Sequence, residues 1–205
     1  MVSPTIHYKK LLSSLKEAKR ILSHVPNTYC DSTYHHLKVQ SYVFLSHAAI
    51  EEYIEDIALY VLAESILKYK NNEHINKCLL SLIVFETVYQ FDENTPRKSL
   101  KLEVVENFST FVHIAKKSHE TEVGNNNGIK IENQKKLLLP IGVDLERVDL
   151  NLANSLDAFG AARGGIAHKF KTKTKETKSS VLASTKQISK DLRQLDEEAE
   201  SVIAS

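Results

Sequence analysis

The stretch from near Asp31 to Tyr69 limits the fold more than any other part of the chain. It reads as helix, and its middle is dense in apolar residues: Tyr42, Val43, Leu45, Ala48, Ala49, Tyr53, Ile57, Val61 and Leu62. A helix this apolar needs other helices to cover it, so it belongs at the centre of a bundle. It is long for one globular helix, which leaves room for a kink or break inside it. The sequence of 205 residues contains six Gly and four Pro. That scarcity favours long helices over a turn-rich β fold. The length suffices for one well-buried core with an added element.

Other helices read around this one. Ser3 and Pro4 form a start signal, and Tyr8, Leu11, Leu15, Ala18, Leu22 and Val25 follow at three- and four-residue spacing until Pro26 and Asn27. Asn71 and Asn72 mark a turn. Ile75, Cys78, Leu79, Leu82, Ile83 and Phe85 suggest a third helix to about Gln90, although its β-branched content keeps a strand open. Thr95 and Pro96 cap and start the next helix, whose face runs from Leu100 through Val104, Phe108, Phe111 and Val112 to end near His119. The run GNNNG, Gly124 to Gly128, is the clearest loop. Ile129 to Pro140 has no assigned element, with Leu137, Leu138 and Leu139 expected to be buried. Asp144 then caps a helix carrying Leu145, Val148, Leu152, Leu156 and Phe159 on one face. The last segment places Val181, Thr185, Ile188, Leu192, Leu195, Ala199 and Val202 four and three apart, a two-in-seven seam for the N-terminal helix or a partner. The expected organisation is a helical domain over 1–170, then a basic linker and amphipathic helix over 171–205.

Composition narrows the chemistry. A net charge of +1 means that affinity for nucleic acid would need a local patch. Cys30 and Cys78 form no recognisable disulfide or metal framework, which points to free thiols in a reducing cytosol. His35 and His36 lie near Cys30 without a second ligand group, and no paired Glu-x-x-His motifs occur. No metal and no cofactor is therefore expected. The first residues lack the apolar core of a signal peptide, and no uncharged run reaches the length of a membrane span. A cytoplasmic protein with no membrane partner is expected.

The candidate site is LDAFGAARGGIAHKF, Leu156 to Phe170. It holds Arg163 and His168 with four residues between them, among Gly160, Ala161, Ala162, Gly164, Gly165 and Ala167. Two adjacent glycines inside a helix cost about 1 kcal/mol each relative to Ala, but they let a backbone or a phosphate approach closely. Arg offers a fixed positive fork suited to phosphate, and His moves protons near neutral pH. The pair could cleave RNA without a metal: His168 would act on a 2′-hydroxyl or leaving oxygen, and Arg163 would neutralise charge at phosphorus. Five helical steps set the two side chains roughly 140° apart. One copy does not aim both at one point, whereas two copies across a two-fold axis can. The plainer alternative stays open: Arg163 paired with a surface carboxylate, and His168 a cation at a helix C-terminus.

Two flanking features have double readings. His47, Glu51 and Glu55 fall four apart; a solvated face with an i,i+4 pair is the favoured reading, and an acid standing behind the active His is the functional one. Lys169, Lys171, Lys173, Lys175 and Lys178 follow the motif against a single Glu176. They read equally as a solvated linker and as a contact for RNA backbone.

At these residues the sequence resembles the HEPN superfamily, whose usual signature is Arg, four to six residues, then His. Leu137 to His168 is similar to the last core helix and its approach in the RiboL-PSP-HEPN-like branch. Ser46 to Val61 is similar to the early helix of that branch, and the resemblance spans roughly Val39 to Phe170. It implies an all-α antiparallel helical bundle, here with additional N- and C-terminal helices, and a homodimer with Arg163 and His168 at the subunit interface. It also implies metal-independent endoribonuclease activity on an RNA substrate, often in toxin–antitoxin or phage-defence systems with an antitoxin or defence partner protein. Some members are not nucleases, so a helical module binding a partner protein or nucleotide is the alternative. One departure is visible: where HEPN toxins paired with nucleotidyltransferase antitoxins commonly carry Tyr, this chain has Phe170, which has no hydroxyl to modify.

Overall fold

The structure is a computed structural model and describes residues 3–89, 104, 106–167 and 173–205. Among the described residues there are eight α-helices and no strand. The central helix, α2, runs unbroken over Thr33–Asn72, so no break interrupts the long apolar stretch. The Ser32 side chain caps it by accepting from the His35 amide. It ends beyond the expected Asn71–Asn72 turn, at Glu73, which takes a left-handed conformation with φ 53°. Val39, Tyr42, Val43, Ile50, Tyr53, Ile54, Ile57, Ala58, Val61 and Leu62 are all buried, which is why α2 sits at the centre.

Helix α1, Ile6–Ala18, is capped by Thr5, whose hydroxyl accepts from the Tyr8 amide. The start is thus two residues later than Ser3 and Pro4 suggest. Thr5 is held in place because its amide donates to the Asp196 carboxylate at 3.0 Å. A 3-10 turn, Lys19–Leu22, ends this helical region before Val25. Helix α3, Lys77–Val84, is capped by Asn76 and passes into a π-helical turn over Phe85–Tyr89, so the strand alternative for this stretch does not hold. The expected start at Thr95 and Pro96 lies outside the described residues. Helix α4, Phe108–Gly124, continues one turn past His119. Gly124 of the GNNNG stretch is the last residue of α4, and the loop runs over 125–130.

The unassigned stretch contains helix α5, Ile131–Leu138, with Leu137 and Leu138 buried; Leu139 is half-buried. Gly142 follows with φ 84°, and a Cβ there would meet the Lys77 carbonyl oxygen at 3.3 Å. A left-handed turn pressed on another backbone requires glycine. Asp144 caps only a four-residue helix, α6, Leu145–Val148. The helix carrying the motif, α7, Leu150–Ala167, begins afresh: Asp149 Oδ1 accepts from the amides of Asn151 and Leu152. The apolar face from Leu145 to Phe159 is therefore shared between two helices, because a second capping carboxylate interrupts it.

Helix α8, Lys178–Ala204, buries its whole predicted seam. It packs on α2 and, more lightly, on α1, in the same core cluster as the other helices. Its partners order themselves along α2: Tyr42 with Thr185, Tyr53 with Leu192, Tyr60 with Glu200. α8 therefore runs in the same direction as α2. α1 runs against both, with Thr5 on Asp196 and Tyr8 on the Ser189 carbonyl. Asp196, fully buried, also meets Arg193 and the Tyr53 hydroxyl. The expected boundary between residues 170 and 171 lies outside the described residues.

Candidate functional site

Helix α7 is fixed against α5 by polar contacts. Asp157 Oδ1 accepts from the Ile131 amide at 3.1 Å, and Gln134 Nε2 donates to the carbonyls of Ile129 and Ala153. Gly160 is the point of closest approach, where a Cβ would stand 3.2 Å from the Lys130 side chain and 3.3 Å from Ile129. That glycine is a packing residue. Gly164 and Gly165 are different: among the described residues a Cβ at either would meet nothing within 4 Å. The small residues thus divide into one that seats the helix and two that leave its last turn open.

Arg163 stands on that last turn. Its guanidinium carbon lies 5.7 Å from the centroid of the Phe44 ring on α2. One helical turn earlier, Phe159 stacks on His47, with centroids 6.5 Å apart and planes inclined by 18°. These two contacts show that α7 runs antiparallel to α2. Among the described residues Arg163 forms no ion pair, so the surface-carboxylate alternative does not hold there. The aromatic face attracts the cation through its quadrupole, and among the described residues no side chain or carbonyl takes the guanidinium N–H donors.

His47 is 2% exposed, so the solvated-face reading of His47, Glu51 and Glu55 is overturned. The helix register turns His47 onto α7, where the Phe159 ring covers it. The i,i+4 pair does form: His47 Nδ1 lies 3.4 Å from Glu51 Oε2. The other Glu51 oxygen, Oε1, is buried and has no hydrogen-bond partner among the described residues. Glu55, one turn on, accepts from Asn126 Nδ2 at 2.7 Å, which ties the loop after α4 to α2. Burial pushes its carboxyl above the ordinary range, and the Asn126 contact partly offsets this.

His168, Lys169 and Lys171 lie outside the described residues. Lys173 and Lys175 are exposed. Their segment is tied to the start of α2, because the Thr174 amide donates to His36 Nδ1 at 3.3 Å. The Ser179 amide then donates to the Asn27 carbonyl at 2.9 Å. The end of α7, the start of α2 and the two lysines therefore share one end of the bundle. A cleft of about 510 Å³ opens beside this end, between Ser155, Phe159 and Ala162 of α7 and Ser184, Gln187 and Ile188 of α8.

The family model for RiboL-PSP-HEPN matches residues 5–201. The chain belongs to this family. The match extends past the resemblance read from Val39 to Phe170 and takes in both terminal helices. No curated protein and no solved structure matches the chain. Within this RiboL-PSP-HEPN domain, the residue that sequence reading missed is Phe44. Its signal was its position three residues before His47, on the stripe that faces α7.

Two further findings bear on chemistry. Cys30 and Cys78 are free, and burial pushes the Cys78 thiol up to about 12, which suppresses its thiolate. Among the described residues no helix is long and apolar enough to cross a membrane.

Proposed function

We propose that this chain is a metal-independent endoribonuclease that works as a homodimer, with Arg163 and His168 as the reacting pair. It would serve as a toxin or phage-defence effector beside an antitoxin or other partner protein. The observation that carries this reading is Arg163 itself. It is a half-buried cation held on an aromatic ring, unneutralised among the described residues, on a helical turn opened by two glycines. A cation in that state has its hydrogen-bonding fork available for a phosphate. Ala158, Ala161 and Ala162 of α7 and Leu37, Leu45 and Ala48 of α2 are exposed nearby. That low, apolar relief supports a self-complementary two-fold contact.

In this mechanism His168 takes the proton from a ribose 2′-hydroxyl, or returns one to the leaving 5′-oxygen. Arg163 stabilises the charge that collects on the phosphoryl oxygens between those steps. The His47–Glu51 pair backs the site: His47 seats Phe159 beneath the Arg163 turn, and Glu51 Oε1, which has no hydrogen-bond partner among the described residues, supplies an acceptor behind it. Lys169, Lys171, Lys173 and Lys175 follow the RNA backbone away from the reacting phosphate.

The test is cleavage of RNA and of the matching DNA in the presence of chelator. RNA should be cut and DNA spared, because the nucleophile is the 2′-hydroxyl. His168→Ala should lose about 10²–10⁴-fold, and Arg163→Ala a comparable factor, with both variants folded. Activity abolished by chelator, or retained in folded His168→Ala, overturns the proposal.

A further inference from the structure

The cleft of about 510 Å³ between α7 and α8 adjoins the Arg163 turn at three points. Ala162 lines it and precedes Arg163, and Val43 lines it and precedes Phe44, which carries the guanidinium. Phe159, whose ring stacks on His47, forms part of its wall. The volume falls within the roughly 300–1,000 Å³ of small-ligand sites. Among the described residues the lining holds no Lys or Arg. A phosphate therefore gains nothing inside it, and the cations suited to phosphate, Arg163, Lys173 and Lys175, stand outside the lining. A largely apolar slot beside such cations suits the base of a single-stranded nucleotide, whose backbone the cations hold.

The polar groups of the lining select the base. Glu176 is fixed at two points: its amide donates to Thr174 Oγ1 at 3.0 Å, and Ser180 Oγ donates to its Oε2 at 2.6 Å. An ionised carboxylate only accepts, and each oxygen takes more than one donor. Gln187 Nε2 is engaged with both Asp191 oxygens at 2.8 Å, so this amide meets a ligand through its carbonyl oxygen, a second acceptor. The Ser155 and Ser184 hydroxyls complete the polar lining and serve either way. The lining is thus richer in acceptors than in donors. Guanine offers such a lining two adjacent donors, N1–H and the N2 amine, which match the two oxygens of a carboxylate. Uracil offers one ring donor between two carbonyls. Adenine and cytosine offer an amine beside a ring acceptor, which a carboxylate repels.

We infer that the α7–α8 cleft is a guanine-selective subsite for the nucleotide beside the scissile phosphate, with the ring against Phe159 and the Glu176 carboxylate accepting from N1–H and the N2 amine. The placement beside a scissile phosphate rests on the ribonuclease reading of Arg163, whereas the choice of base rests on the lining of the cleft. Cleavage is then sequence-dependent, at phosphates next to guanosine in unpaired RNA.

The experiment uses the full chain and two readouts. Titration calorimetry measures binding of the 3′- and 5′-monophosphates of guanosine, inosine, adenosine and uridine. The guanosine form should bind best, with the adenosine and uridine forms at least about fivefold weaker, the lower end of what one forked base contact contributes. Inosine, which keeps N1–H and lacks the N2 amine, should fall between guanosine and adenosine. Cleavage is then read on unpaired strands with one G in a run of A or U, and the cut should fall next to that G. Glu176→Gln should reduce the preference for guanosine over adenosine by a similar factor. Ser184→Leu, at an exposed position of α8, should fill the cleft and remove guanosine binding. No binding of the guanosine forms, equal binding of guanosine and adenosine, cleavage indifferent to the G, or an undiminished preference in both variants overturns the inference. Preferred guanosine binding without cleavage of any RNA overturns the ribonuclease reading alone and supports the guanine site.

Discussion

The Arg163 guanidinium rests on the Phe44 ring, 5.7 Å from its centroid, across the antiparallel contact of α7 with α2. A cation held this way keeps its position without spending its donors, and such a contact is worth about 0.5–2 kcal/mol. Phe44→Leu keeps most of the apolar volume and removes the quadrupole. Cleavage by this variant should fall by roughly 2- to 30-fold, the rate equivalent of that energy, while Phe44→Tyr should stay near the parent rate. Single-turnover cleavage measures both. Equal rates for Phe44→Leu and the parent would remove Phe44 from the site.

Gly164 and Gly165 separate stability from function. Each lies inside α7, and a Cβ at either would meet no described residue within 4 Å. Replacing either by Ala should raise stability by about 1 kcal/mol through helix propensity alone. If a second subunit or a phosphate closes on this turn, the same change should weaken dimerisation or cleavage. Urea unfolding and sedimentation on Gly164→Ala and Gly165→Ala read the two effects. Higher stability with unchanged mass and rate would mean that nothing approaches there.

The sequence carried the bundle because the patterns that specify it are local. The seam from Val181 to Val202 and the apolar run of α2 are periodicities within single helices; the seam is buried throughout, and so is the run apart from Leu45 and Ala48, which are exposed. The errors arose where one helix meets another. Asp144 is a valid cap, but Asp149 caps too, and only packing decides that the chain restarts at Leu150. His47 read as solvated because its i,i+4 carboxylate is local, while the Phe159 ring that covers it is more than 100 residues away. Phe44 went unnoticed for the same reason. At the site, residue types and spacing were legible for Arg163, and its aromatic support was not.

The lysine segment can be tested by salt. Lys173 and Lys175 are exposed at the end of the bundle that carries Arg163. Each lysine that neutralises a phosphate of a single strand contributes about 0.7 to the slope of log K against log salt. Changing Lys171, Lys173 and Lys175 to Ala should therefore flatten the slope by about 2, and thermal stability should hold because the exposed pair supports no buried contact. An unchanged slope returns the segment to the role of a linker.

His119 should make the fold sensitive to acid. Burial lowers its pKa from 6.5 to about 4, so the unfolded chain binds a proton there more readily than the folded one. The stability associated with the neutral ring is complete above about pH 6.5 and is lost as pH falls towards 4, by about 3 kcal/mol across the window at roughly 1.4 kcal/mol per unit. Glu86 lines one cavity of about 260 Å³ with His119 and acts in the opposite sense: its raised pKa favours the folded state at low pH and withdraws that support as pH rises through its own range. The charged neighbours Glu122 and Lys136 line the cavity as well, and they remain in any His119 variant. The comparison is therefore between the parent and His119→Phe, by urea unfolding at pH 7 and at pH 5. The parent should lose more stability than the variant over that interval. Equal losses would show that His119 is not the group responsible for the acid sensitivity.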